Sequence, residues 1–146
     1  MISKNIFKNG YINLFCPNSN EYLFDYIYAL GFKDIDSKNW KPRLVILSVL
    51  EYLFRLKIIN VYSWPNHPEL EKKGMTIKET IETIDKLWSN NATFPDFYGI
   101  VMFENQKWYT EALEKKGLTQ TTNWEKFIEN EIGDLEKFIE DNRPID

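Results

Sequence analysis

Apolar positions recur along this chain with a helical period more often than with a strand period. Leu23, Phe24, Ile27, Tyr28 and Leu30 are spaced in this way ahead of Gly31. They predict a helix from a cap at Ser19 or Asn20 to Leu30, stopped by the glycine. Asp36, Ser37 and Asn39 are candidate caps in front of Trp40-Lys41-Pro42, where proline suits the first turn of a helix. The helix that follows is apolar nearly all round from Leu44 to Leu56, and its polar positions Ser48, Glu51 and Arg55 fall on one narrow stripe. That pattern predicts a central, mostly buried helix, with Glu51 and Arg55 as an i,i+4 pair worth ~0.3 kcal/mol if exposed. Thr76-Ile77-Lys78-Glu79 has the form of a capping box, and Ile77, Ile81, Ile84, Leu87 and Trp88 continue it at helical spacing.

The segments between these helices read less simply. Gly10 to Cys16 alternates loosely, as a strand or an extended arm, and Pro17-Asn18 ends it. Ile58-Ile59-Asn60-Val61-Tyr62 either extends the preceding helix or turns into a short strand, before Pro65 and Pro68 impose a loop. Ser89 to Asp96 is polar and contains a proline, which predicts a loop, and Tyr98 to Phe103 then reads as a buried strand. Glu104-Asn105-Gln106 fits a hairpin turn or a helix cap. The helix formers from Glu111 to Lys116 favour a helix capped by Asn105 and closed by Gly117. Asn123 caps a last helix that runs to about Asp141, ahead of Pro144. The fold class expected is mainly α, or α+β with a minor strand element, in a single compact helical domain over residues 1–146.

Composition sharpens this picture. The chain has 146 residues, the size of one domain, and its ten Phe, eight Tyr and five Trp favour a packed fold over disorder. Cys16 is the single cysteine, so no intramolecular disulfide can form and a reducing compartment is expected. The residues from Met1 to Lys8 lack the apolar stretch of a signal peptide, which makes the cytoplasm the default location. No apolar run reaches the roughly 20 residues of a membrane span.

Charge is placed unevenly. Between Asn123 and Asp146 eight acids stand against three bases, a net −5, whereas the other residues hold fourteen acids and fifteen bases, +1, giving the total of −4. On a helix stepping about 100° per residue, Trp124, Phe127, Ile128, Ile132, Leu135, Phe138 and Ile139 fill one apolar arc of roughly 140°. Glu125, Glu129, Glu136 and Glu140 line one flank, with Lys126 and Lys137 on the far side. Glu131 falls inside the apolar arc, where burial of an unpaired carboxylate is costly, so a partner is expected for it. Such a ridge either merely solvates a surface helix or docks a basic protein, because complementary charge speeds association and selects partners.

Most other chemistry is disfavoured by the residues available. His67 is the only histidine and lies between two prolines, and no nucleophile-elbow pattern surrounds Cys16 or the serines. Cys and His together offer two ligands where zinc needs about four. Glycine-rich phosphate loops are missing, so no cofactor is expected. Lys72-Lys73 and Lys115-Lys116 are the only dibasic pairs, a poor footprint for nucleic acid. Paired carboxylates could still serve acid/base catalysis, a third reading behind the two below.

The buried helix and its exit, Leu44 to Ile58, together with Thr76-Ile77-Lys78-Glu79 and the acidic C-terminal helix, resemble in layout the small acidic immunity proteins encoded beside contact-dependent growth-inhibition toxins and other polymorphic bacterial toxins. The resemblance implies an inhibitor without catalytic residues, which binds one cognate toxin, commonly a basic nuclease or RNase, and occludes its active site. The partner-binding residues expected from this sequence are Glu125, Glu129, Glu136, Glu140 and Glu131. The alternative is a winged-helix-like nucleic-acid-binding regulator, suggested by the helix that runs into Lys57-Ile58-Ile59-Asn60-Val61.

Overall fold

A computed structural model describes residues 7, 11–17, 20–32, 40–88 and 94–145. Helix α1, Leu23–Ala29, begins at Tyr22 rather than at Ser19 or Asn20. The Asp25 carboxylate accepts the backbone N–H groups of Glu21 and Tyr22 at 2.9 Å, so the first turn is capped from within. Asn20 instead donates to the Asn13 and Leu14 carbonyls, and Ser19 lies outside the described residues. Gly31, with φ 89°, closes the helix: its N–H reaches the Tyr28 carbonyl and that of Phe32 the Ile27 carbonyl.

The segment expected as a strand or extended arm is a 3-10 helix, Tyr11–Phe15. Two distant aromatic residues hold it. Trp124 donates its indole N–H to the Ile12 carbonyl at 2.8 Å, and the buried Tyr109 hydroxyl donates to the Phe15 carbonyl at 2.5 Å.

Helix α2, Trp40–Arg55, is the centre of the core, with Ile46, Leu47, Val49, Leu50, Leu53 and Phe54 buried. Ser48 and Arg55 are exposed as the polar stripe requires, and Arg55 meets Glu51 at 2.8 Å. The candidate caps Asp36, Ser37 and Asn39 lie outside the described residues. Beyond Leu56 the helix stops at Lys57, and the β-branched residues that follow form strand β1, Ile59–Ser63. Pro68–Leu70 makes a short 3-10 turn. Helix α3, Ile77–Leu87, carries the expected capping box, in which the Glu79 N–H bonds the Thr76 hydroxyl and the Thr76 N–H the Glu79 carboxylate, both at 3.1 Å. Arg43 ties α3 to α2 through Asp85 at 2.8 Å.

The strand expected over Tyr98 to Phe103 is corrected. Helix α4, Phe94–Ile100, takes its first half, and strand β2 is Met102–Asn105. Phe97, Ile100 and Val101 are buried at i, i+3 and i+4 while Tyr98 is exposed, a helical phase that a short apolar run conceals. Strand β2 pairs antiparallel with β1, not in a hairpin but across the intervening α3 and α4. Helix α5, Lys107–Lys115, is therefore capped at Gln106, and Asn105 ends the strand. Gly117, with φ 106°, closes α5 as expected.

The acidic C-terminal helix is also corrected: it is not one helix. Asn123 caps α6, Trp124–Phe127, through the Lys126 N–H at 3.0 Å, but a π turn over Ile128–Ile132 follows. Gly133 then breaks the chain with φ 77°, and Asp134 caps a new helix α7, Leu135–Asn142. The apolar residues Trp124, Phe127, Ile128, Leu135 and Ile139 are still buried. The whole is mainly helical with a small two-stranded antiparallel sheet, and its buried side chains form one core cluster.

Candidate protein-binding surface

The break at Gly133 redistributes the acidic residues. The four-glutamate flank depends on an uninterrupted helix, so Glu125 and Glu129 belong to one segment and Glu136 and Glu140 to another. Glu131 is exposed rather than set in the apolar arc, because each residue of a π turn steps less far round the axis than in an α-helix. It edges a shallow depression with Lys116 and Lys126 and needs no buried partner. The signal that would have revealed this is Gly133-Asp134, a helix-closing glycine followed by a capping residue.

Glu136 and Glu140 are the pair the structure does bring together. Both act on Tyr52 of α2, whose hydroxyl pKa is raised first by burial and then by the charges of Glu136 and Glu140, with Arg143 opposing them. Glu140, Arg143 and Pro144 also border a depression of 320 Å³ shared with Arg55 and Lys57 at the end of α2. Glu125, Glu129 and Asp134 are exposed. Among the described residues none of the acids from Glu125 to Asp141 forms an ion pair with a cation, whereas Glu51, Asp85, Glu82 and Glu111 all do. The charge of this segment is therefore left to solvent or to a partner.

Next to this surface, a groove of 860 Å³ runs beside β1. It shares Arg55, Lys57 and Pro144 with the smaller depression, so acidic α7 and the sheet meet at one corner. Tyr62 projects from β1 with 62% of its surface exposed. Sequence reasoning singled out neither the groove nor Tyr62, because its walls come from four separate stretches of chain. Among the described residues no group of three His, Cys, Asp or Glu side chains is arranged to hold a metal ion, and no helix is long and apolar enough to cross a membrane. His67 lies 3.6 Å from Glu69 in the loop before the 3-10 turn. Comparison of the chain with known protein families, with curated proteins and with solved structures finds no match.

Proposed function

We propose that this chain is an immunity-type inhibitor that binds a cognate bacterial toxin domain in the cytoplasm and occludes its active site, without chemistry of its own. The observation that carries this reading is the set of carboxylates on α6, the π turn and α7, exposed apart from the half-buried Glu136, that form no ion pair with a described cation. Leaving like charges side by side costs stability, and a basic partner recovers that cost on binding. A nuclease or RNase has such a basic face, since it must attract phosphate. Glu136 and Glu140, beside Tyr52, form the centre of the contact, with Glu125, Glu129 and Glu131 extending it.

The test is co-purification with the product of the adjacent upstream gene, followed by affinity measurements at low and high salt. Binding is expected to weaken with salt, because exposed charges are screened within about 8 Å at physiological ionic strength. Glu136→Lys with Glu140→Lys is expected to raise Kd about a hundredfold and abolish protection of cells that express the toxin. Unchanged affinity and protection in that double variant would reject the reading.

A further inference from the structure

Strand β1 is an outer strand. Asn60 lies opposite Glu104, and the Ile58 carbonyl accepts the Gln106 N–H at 2.8 Å, so the backbone of Asn60 faces β2 while that of Ile59 and Val61 faces away. The same alternation turns Phe103 outward on β2, where its N–H donates to the Glu21 carbonyl at 2.8 Å and Tyr22 bridges to Met102. The far edge of β2 is therefore partnered, and no described strand pairs with the far edge of β1. Side chains close that edge at its two ends. The Glu71 carboxylate accepts the Trp64 N–H at 2.6 Å, and the Gln106 side-chain amide donates to the Ile59 carbonyl at 3.2 Å. Val61 lies between them, with its N–H and carbonyl facing outward.

Proteins usually blunt such an edge with charge or proline, and Ile59-Asn60-Val61-Tyr62-Ser63 has neither. A bulge between Val61 and Ser63 makes Tyr62 the extra residue and leaves it exposed. The groove is lined by Ile59 to Tyr62 of this strand and also by Met75 and Ile77, apolar side chains that an extended chain can cover. Its lining carries Lys73, Lys57 and Arg55, the last also paired with Glu51 at 2.8 Å, beside Glu71 and Glu104. Glu71 is already hydrogen-bonded to Trp64 and shows that a carboxylate is accepted at this edge.

We propose that this groove binds an extended acidic segment of a partner protein, added as a strand along β1 with its backbone on Val61 and its carboxylates towards Arg55 and Lys73. The groove meets the acids of α7 at the corner formed by Arg55, Lys57 and Pro144.

The experiment is an NMR titration of the isotope-labelled full chain with a synthetic ten-residue peptide of alternating Val and Glu, beside a Val/Lys counterpart. The Val/Glu peptide is expected to shift the amides of Ile59, Val61 and Lys73 and to slow hydrogen exchange at Val61. Val61→Pro removes an outward N–H without breaking a β1–β2 bond, and it should weaken binding about tenfold. Arg55→Gln with Lys73→Gln, both at the surface, should do the same and keeps the test valid if the proline variant does not fold. Equal binding of the lysine peptide, shifts confined to other surfaces, or no binding at millimolar peptide would overturn the proposal. So would a dimer by sedimentation with Val61 already protected, since a second copy would then occupy the edge.

Discussion

Trp108 donates its indole N–H to the backbone carbonyl of Lys57 at 2.7 Å, and among the described residues Lys57 alone, glycines aside, has a positive φ, 61°. The two facts belong together. Lys57 occupies the helix-closing position where glycine is preferred, with its N–H on the Phe54 carbonyl and that of Ile58 on the Leu53 carbonyl. The indole holds the strained peptide that turns α2 into β1. Trp108→Phe is expected to cost about 1–3 kcal/mol in urea unfolding, because it strands a half-buried carbonyl. Lys57→Gly should instead gain up to about 1 kcal/mol by relieving the left-handed backbone. A glycine variant less stable than the parent would show that the lysine side chain, whose ammonium lies 3.3 Å from the Pro144 carbonyl, outweighs that strain.

Gly99 shows a close approach of a different kind. A β-carbon there would fall 1.9 Å from the Asn66 side-chain nitrogen, while the Asn66 N–H bonds the Gly99 carbonyl at 2.9 Å. Gly99→Ala is expected to change stability by less than about 1 kcal/mol, since the exposed Asn66 side chain can swing aside and alanine favours helix α4. In an Asn66→Ala background the same substitution should be more favourable. A double-mutant cycle with no coupling would place the strain elsewhere.

At the start of α3, hydrogen bonds from Thr76 hold the Glu79 carboxyl below the ordinary glutamate range, with a smaller contribution from Lys73. A depressed acid adds stability above its unfolded pKa and loses it as pH falls through the folded value. The box should therefore be intact at neutral pH and weaken in the acid range. Thr76→Ala is expected to cost about 1 kcal/mol at pH 7. That gap from the parent should narrow only in part towards pH 3, because the Thr76 N–H, the larger cause of the Glu79 shift, is retained in the variant, and chemical denaturation at the two pH values measures it.

Tyr26 and Tyr109 set the opposite limit. Burial, aided by Asp25 for the first and Cys16 for the second, raises both hydroxyls well above the usual tyrosine value. A raised acid keeps its full contribution below the unfolded pKa and loses it as pH climbs beyond. Stability should fall from about pH 10 upward, where the unfolded chain ionises and the folded one does not. Tyr109→Phe should flatten that alkaline fall while costing about 1–3 kcal/mol at neutral pH, because the Phe15 carbonyl loses its donor. An unchanged alkaline slope would argue that Tyr109 ionises freely in the folded protein.

Much of the helical frame was legible from local signals. The Thr76 box, the glycine stops at Gly31 and Gly117, the Asn123 cap and the polar stripe of α2 depend on neighbours within a few residues, and each is where the spacing places it. Tyr98 to Phe103 was not legible, since helix and strand bury a short apolar run equally well and packing on α1 chose between them. The C-terminal glutamates lay between these cases. Their exposure followed from their chemistry, but their alignment hung on a helical phase that Gly133 breaks.

By itself, then, the sequence determined helices α1, α2, α3 and α5, the apolar residues of those helices that enter the core, and that the acids gather at the C-terminal end. Those outcomes follow from period, caps and solvation, which act over one or two turns. Only the tertiary structure decided that β1 pairs with β2 and with no other described strand, and that the charges of Glu136 and Glu140 act on Tyr52. Those relationships join residues tens of positions apart, and no local preference fixes them. The burial of a shared core does, because it sets how the segments lie against one another.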